Sequence, residues 1–138
     1  MDLGSFGAIL RFAIELEEQV IALYETSARE DNIFSRLIQD GKKRTQRLER
    51  ARREGVVEMV LEPITGFDSD AYSVKPVAGS NENELDLLRM AVMIEDTMIR
   101  FYRDAADKMP VLGVARLLQR LADENKRRKA QLADEVGN

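Results

Sequence analysis

Two glutamates and two arginines are the residues of this chain that could do chemistry in a protein interior. Glu17 and Glu95 each lie seven residues before a tyrosine, in segments where apolar side chains recur at steps of three and four residues. Arg44 and Arg128 occupy matching positions in two further segments with the same periodicity. In a helix this spacing defines one face, so the four charges are predicted to point inward. A buried carboxylate needs either a metal ion or a buried cation beside it.

Composition removes several other kinds of site. The 138 residues include neither Cys nor His, which excludes disulfides, thiolate metal sites, iron–sulfur clusters and cysteine nucleophiles, together with the commonest metal ligand and general base. The sequence has no glycine-rich phosphate loop, and the segment Pro63–Gly66 is interpreted as a turn. The sequence therefore favours a protein without catalytic activity.

Charge and hydropathy bear on partners and location. The 25 acidic and 21 basic residues give a net charge of −4, which argues against general nucleic-acid binding. The basic run from Lys42 to Arg53 is interpreted as a solvated helix face. No apolar run approaches the length of a membrane span and no secretion signal is found, so we expect a cytoplasmic location without membrane contact.

Four helices must position the charged residues. Apolar periodicity predicts them at about Ser5–Ala28, Asp31–Gly55, 81–108 and 110–136. Asp31 is the expected N-cap of the second helix, and Ser80 or Asn81 precedes the third. Pro110 is expected in the first turn of the fourth helix, which is predicted to end before Gly137.

The segment 56–80 lacks this periodicity and is rich in turn-forming residues. A helix of ~24 residues is ~36 Å long, a distance that roughly 11 extended residues can cover. The segment is therefore long enough to cross over along the whole bundle, and the predicted helix directions are up, down, down and up. We expect a helical turn at Val57–Leu61 and expect Phe67 and Tyr72 to hold the segment against the bundle.

An internal repeat connects the two halves. Residues 9–28 match 87–106 at an offset of 78, and the second helices match at an offset of 84. A repeated helix pair predicts a bundle with pseudo-two-fold symmetry, because each pair has an apolar face that its copy can cover. We therefore expect one domain over 1–138, made of the helix pair 5–55, the crossover 56–80 and the helix pair 81–136.

The segments that carry these charges resemble a known family. The Glu-to-Tyr spacings Glu17–Tyr24 and Glu95–Tyr102, each followed by a helix opening at Phe34–Ile38 or Leu118–Ala122, are similar to the rubrerythrin branch of the ferritin-like superfamily. The resemblance covers nearly the whole chain. It implies an all-α, ferritin-like four-helix bundle of two repeated helix pairs joined by a long crossover loop.

In that family, a glutamate from each first-type helix joins a Glu-x-x-His from each second-type helix to bind two irons. Glu17 and Glu95 match the lone glutamates. The other four positions carry a glycine, an asparagine and two arginines, namely Gly41, Asn125, Arg44 and Arg128. The departure implies that the di-iron site of the family is degenerate in this chain.

Charge balance suggests how such a replacement could be tolerated. Two divalent irons neutralise four carboxylates, and two guanidinium groups neutralise two. We hypothesise that Glu17, Glu95, Arg44 and Arg128 form a buried ionic cluster. Pseudo-symmetry permits either arginine to pair with either glutamate. Alternatively, the four residues lie at the edge of the apolar face and make ordinary surface pairs.

Two acidic residues enlarge the set of candidates. Asp40 and Glu124 each precede an arginine by four residues, so they are expected to extend the cluster as pairs within their helices. In the alternative hypothesis, Glu17, Asp40, Glu95 and Glu124, with Asn125 as a carbonyl ligand, bind Mg, Mn or Ca through oxygen alone. Iron is less favoured there, because the arginines repel a cation.

These observations lead to one expected function and one alternative. The expected protein is a non-catalytic structural or interaction module without a cofactor, which forms a homodimer or binds another protein. The alternative is a rubrerythrin-like protein that binds Mn, Fe or Mg and has an oxidoreductase or metal-handling role.

Overall fold

The structure is a computed structural model that describes residues 1–26, 33–55, 64–74 and 83–137. These residues form an all-α four-helix bundle, as the sequence predicts. Its α-helices are α1 (Phe6–Glu25), α2 (Ile33–Gly55), α3 (Glu84–Lys108) and α4 (Leu112–Gly137). A short 3-10 helix, Ser69–Tyr72, lies between α2 and α3. No helix of the described segments is long and apolar enough to cross a membrane.

Side-chain caps define where α1 and α3 begin. The Ser5 hydroxyl accepts a hydrogen bond from the Ala8 amide, as expected for the predicted start of the first helix. In α3 the cap is Asn83, whose side-chain oxygen accepts from the Asp86 amide at 2.8 Å. The predicted start of this helix at residue 81 was therefore too early. Glu84 and Asp86 in the first turn favour the observed start, because acidic side chains stabilise a helix N-terminus.

The last helix also differs from its predicted bounds. Its first hydrogen bond runs from the Ala115 amide to the Val111 carbonyl, so Pro110 lies before the helix and not in its first turn. The predicted stop before Gly137 is wrong, because α4 includes this residue. Gly137 does not adopt the left-handed conformation by which a glycine commonly ends a helix. The predicted features at residues 27–28, Asp31 and Val57–Leu61 lie outside the described residues.

The helices pack as two antiparallel pairs, α1 with α2 and α3 with α4. Between the pairs, α1 packs against α3 and α2 against α4. Tyr24 contacts Glu95 while Glu17 contacts Tyr102, so α1 and α3 are also antiparallel. The helix directions are therefore up, down, down and up, so the last residues of α2 and the first residues of α3 lie at opposite ends of the bundle.

The described part of the connection between α2 and α3, residues 64–74, lies against one end of the bundle. Its backbone pairs with the N-terminal residues, since the Leu3 amide donates to the Phe67 carbonyl at 2.9 Å. Phe67 stacks on Phe101 of α3, with ring centroids 6.0 Å apart, and Tyr72 meets the same ring edge-on. The Tyr72 hydroxyl donates to Asp104. Both aromatic residues are buried, so this segment covers one flank of α3 near its C-terminal end.

Gly55 ends α2 where the Phe6 ring of α1 packs onto it. A Cβ atom at Gly55 would overlap the Cζ atom of that ring, whereas a Cβ at Gly7 would meet no other atom within 4 Å. The close approach of the two helices at this end therefore requires a glycine on α2.

We expect Gly55→Ala to lower the free energy of unfolding by about 1–3 kcal/mol, because the Phe6 ring must move out of a packed core. Gly7→Ala in α1 is the matched control and should raise it by up to about 1 kcal/mol through helix propensity. Chemical denaturation measures both changes. A stabilising effect of Gly55→Ala would contradict the packing described here.

Candidate functional site

The structure brings the four predicted charged residues together in the bundle core. Glu17 and Glu95 are 0% exposed, and Arg44 and Arg128 are 2% and 7% exposed. The alternative of surface pairs that reach water does not agree with this burial. Together with Asn125, which is also fully buried, these residues are called the ionic cluster below.

The helices leave the two glutamates no route to solvent. Glu17 lies on the buried face of α1 between Ala13 and Val20, one turn to either side. Glu95 lies in the same way between Ala91 and Met98 on α3. Since the neighbouring turns are closed by apolar side chains, each carboxylate must find its partners on the facing helices.

Each arginine pairs with the glutamate of its own helix pair. Arg44 Nε donates to Glu17 Oε1 at 2.8 Å. Arg128 Nε lies 3.4 Å from Glu95 Oε1, a distance typical of an ion pair, without the geometry of a hydrogen bond. The pseudo-symmetry of the sequence allowed either arginine to pair with either glutamate. The antiparallel packing within each helix pair places each arginine beside the glutamate of its own pair.

The two tyrosines connect the helix pairs. The Tyr102 hydroxyl donates to Glu17 Oε1 at 2.7 Å, and the Tyr24 hydroxyl donates to Glu95 Oε2 at 2.6 Å. Each carboxylate is therefore held by an arginine of its own helix pair and a tyrosine of the other. The Arg44 guanidinium also lies over the Tyr102 ring, 5.4 Å from its centroid, where the π face attracts a cation.

Asn125 connects the two ion pairs directly. Its side-chain nitrogen donates to Glu95 Oε1 at 2.7 Å, and its oxygen accepts from Arg44 Nη2 at 2.5 Å. Asn125 is predicted from the sequence to lie on the inner face, and in the metal-binding alternative its side-chain oxygen is a ligand. In the structure that oxygen is already occupied by Arg44. Periodicity could reveal its inward position but not this link between the two halves.

The prediction that Asp40 and Glu124 pair with the arginines of their own helices was wrong. Glu124 contacts arginines of the facing helix α2, namely Arg44 at 3.2 Å and Arg47 at 2.9 Å, and does not pair with Arg128. Among the described residues, Asp40 forms no ion pair with Arg44. Sequence spacing identifies neighbours within one helix, but here the antiparallel packing of α2 and α4 brings a closer partner from across the interface.

The Arg128 side of the ionic cluster has fewer hydrogen bonds than the Arg44 side. Two nitrogens of Arg128, Nε and Nη1, are buried and have no hydrogen-bond partner among the described residues. On the Arg44 side, one atom, Glu17 Oε2, is buried and has no such partner among these residues. At the position that corresponds to Asn125, α2 carries Gly41. Ile21 packs onto this glycine, and a Cβ atom there would come within 2.8 Å of Ile21 Cγ1. The repeat is therefore asymmetric where the amide bridge would be.

Electrostatics keep Arg44 charged and the two tyrosines that contact the ionic cluster neutral. Burial is the largest single influence on the pKa of the Arg44 guanidinium and lowers it, but Glu17, Tyr102 and Glu95 together outweigh burial, so the pKa is raised. Burial raises the pKa values of Tyr24 and Tyr102 well above the ordinary value, and the negative charges of Glu95 and Glu17 raise them further. At neutral pH the arginine is charged and both tyrosines are neutral hydrogen-bond donors.

The donor set of the ionic cluster does not fit a metal centre. Within the described segments, no group of three or more His, Cys, Asp and Glu residues could hold a metal ion. Glu17 and Glu95 lie in the core, whereas Asp40 and Glu124 line a groove on the outer side of α2 and α4. The four carboxylates of the metal-binding alternative therefore do not converge, and cationic side chains already hold two of the core oxygens.

No model of a protein family, no curated protein and no solved structure matches the chain.

All three tyrosines of the chain have raised pKa values, Tyr72 because of its burial and its bond to Asp104. We therefore expect the native protein to show no phenolate absorbance at the ordinary tyrosine pKa of about 10. Since the unfolded state loses these protons first, stability should be fully present below about pH 10 and should fall as the pH rises further.

An ultraviolet titration of native protein, with denatured protein as control, measures this. The chain has no Trp, so the absorbance change reports the tyrosines alone. Ionisation of Tyr24 or Tyr102 near pH 10 in the folded protein, detected as a signal that Tyr→Phe substitution removes, would contradict their place in the ionic cluster.

Proposed function

We propose that this protein is a non-catalytic, ferritin-like bundle related to the rubrerythrins that serves as a structural or interaction module. In this proposal the ionic cluster stands where relatives of the fold bind two irons. One observation carries it: the carboxylates of Glu17 and Glu95 are both buried, and each is held by an arginine and a tyrosine.

Charge balance supports the replacement. Arg44 and Arg128 remain protonated at any physiological pH, so each carries a permanent positive charge into the core. Two such charges neutralise Glu17 and Glu95, as metal ions would neutralise a larger set of carboxylates. A divalent cation at this place would have to displace the hydrogen bond from Arg44 and would be repelled by both guanidinium groups.

A structural role agrees with the accessibility of the ionic cluster. A general base has to reach a substrate proton within hydrogen-bond distance. Neither glutamate has exposed surface, and three of their four carboxylate oxygens already accept hydrogen bonds. The bonds instead join all four helices, which favours a role in fixing how the two helix pairs dock.

Exposed apolar side chains support the interaction part of the proposal. Met93 on α3 is 67% exposed, and Leu112 at the start of α4 is 63% exposed. Leu85, two turns before Met93, is also exposed. An apolar stripe along α3 through Leu85 and Met93 would favour contact with another protein surface, and for a single chain the commonest such contact is a symmetric homodimer.

Native mass spectrometry of protein purified without chelator tests both parts in one measurement. We expect twice the mass of the 15.7 kDa chain and no bound metal ion. Glu17→Ala should leave the metal content unchanged, as should the control Glu15→Ala on the exposed side of α1.

Stoichiometric Fe, Mn or Mg that is lost in Glu17→Ala and retained in Glu15→Ala would overturn the proposal in favour of a carboxylate metal site. A monomeric mass at micromolar concentration would contradict self-association separately, without bearing on the ionic cluster.

A further inference from the structure

A groove of about 330 Å³ opens between α2 and α4 on the outer side of the ionic cluster. Two acidic side chains line it, and so do five cationic ones, namely Lys43, Arg44, Arg47, Arg127 and Arg128. Excess positive charge in a concave site attracts anions and raises their local concentration.

On one side of this groove, the Arg44 guanidinium group has hydrogen-bond acceptors for all of its nitrogens. Besides its bond to Glu17, Arg44 donates to the Glu124 carboxylate at 3.2 Å and to the Asn125 side-chain oxygen at 2.5 Å. It also donates to the Leu121 carbonyl at 3.3 Å. All three of its nitrogens therefore have oxygen acceptors.

The Arg128 side lacks two of the corresponding acceptors. Arg128 keeps the ion pair with Glu95 and a long bond to the Leu37 carbonyl at 3.5 Å. The repeat places Asp40 and Gly41 where Arg44 finds a glutamate and an asparagine. Asp40 is one methylene shorter than glutamate, and Gly41 has no side chain. Arg128 Nε and Nη1 consequently have no hydrogen bond, although the side chain is only 8% exposed.

We propose that this groove binds a small oxyanion of the phosphate type, one oxygen of which accepts from Arg128 Nη1 once the neighbouring side chains that shield this atom from solvent move aside. A guanidinium group binds such an anion through a charge-assisted hydrogen bond. Lys43 and Arg127 are exposed and line the same groove, and among the described residues neither is engaged in an ion pair. These two cations would hold the outer oxygens of the anion.

The charges of the groove favour a dianion over a singly charged carboxylate. Arg44 balances Glu17, so Arg47 is the cation that neutralises Glu124 and weakens its repulsion of an incoming anion. Asp40 is the one acidic side chain of the groove without an ion pair among the described residues, and it opposes binding. Among the described residues, two unpaired cations, Lys43 and Arg127, therefore face one unpaired carboxylate, while Glu95 already balances the charge of Arg128.

Titration of inorganic phosphate into the full chain, followed by calorimetry, tests the proposal. We expect saturable binding with one site per chain and weaker binding of acetate. Arg127→Gln should weaken phosphate binding about tenfold, because a charged hydrogen bond is lost. Lys126→Gln is the matched control, because it removes the same charge from the preceding residue of α4, which does not line the groove. It should change the affinity for phosphate less than about twofold.

Variants of Asp40 test the role of Arg128 without removing Arg128 from the core. Asp40→Glu provides a carboxylate long enough to reach Arg128, so it should weaken phosphate binding at least about tenfold while the protein stays folded. Asp40→Asn removes the opposing charge and should strengthen binding about threefold.

Three outcomes would overturn the proposal. They are the absence of saturable phosphate binding, equal losses in Arg127→Gln and Lys126→Gln, and an unchanged affinity in Asp40→Glu. Tighter binding of acetate than of phosphate would overturn the choice of anion and leave a carboxylate site. None of these results depends on whether the bundle dimerises or on its relation to the rubrerythrins.

Discussion

The neutralisation of two carboxylates in a dry core is the constraint on which the rest of this structure depends. Glu17 and Glu95 have no exposed surface, and an unpaired charge in such a place costs several kcal/mol. Each is balanced by an arginine of its own helix pair, so α1–α2 and α3–α4 are each locked in one register. Each also accepts from a tyrosine of the other pair, and these bonds favour the docking of the two pairs that is observed. Apolar side chains alone would tolerate small slips that these bonds do not.

The repeat explains both the order of the ionic cluster and its defect. Each of the two helix pairs provides a glutamate, a tyrosine and an arginine at matching positions of the sequence, and these residues form the network. Symmetry fails at Gly41 and Asn125, where one copy has an amide that joins the ion pairs and the other has only backbone. The defect leaves two buried Arg128 nitrogens without hydrogen-bond partners among the described residues, and Arg128 also lines the basic groove, so the proposed structural cluster and the proposed anion site share this arginine.

Periodicity was sufficient to predict the four helices and the inward positions of the charged residues, because a buried helical face repeats every three to four residues. It could not predict the partners of Glu124, since sequence spacing shows neighbours within a helix and the observed arginines come from the facing one. It also could not choose between the two pairings that pseudo-symmetry allows. The start of α3 was misplaced because several residues near position 81 can cap a helix, and only the observed hydrogen bond identifies Asn83.

A double-mutant cycle between Glu17 and Arg44 tests the central claim most directly. Glu17→Met and Arg44→Met should each lower the free energy of unfolding by about 3–5 kcal/mol, because each leaves a buried charge without its partner. The double variant strands neither charge of this pair, so the two effects should fall short of additivity by about 2–3 kcal/mol. Additivity within about 0.5 kcal/mol, measured by chemical denaturation, would show that the two charges do not stabilise each other and would contradict the ionic cluster.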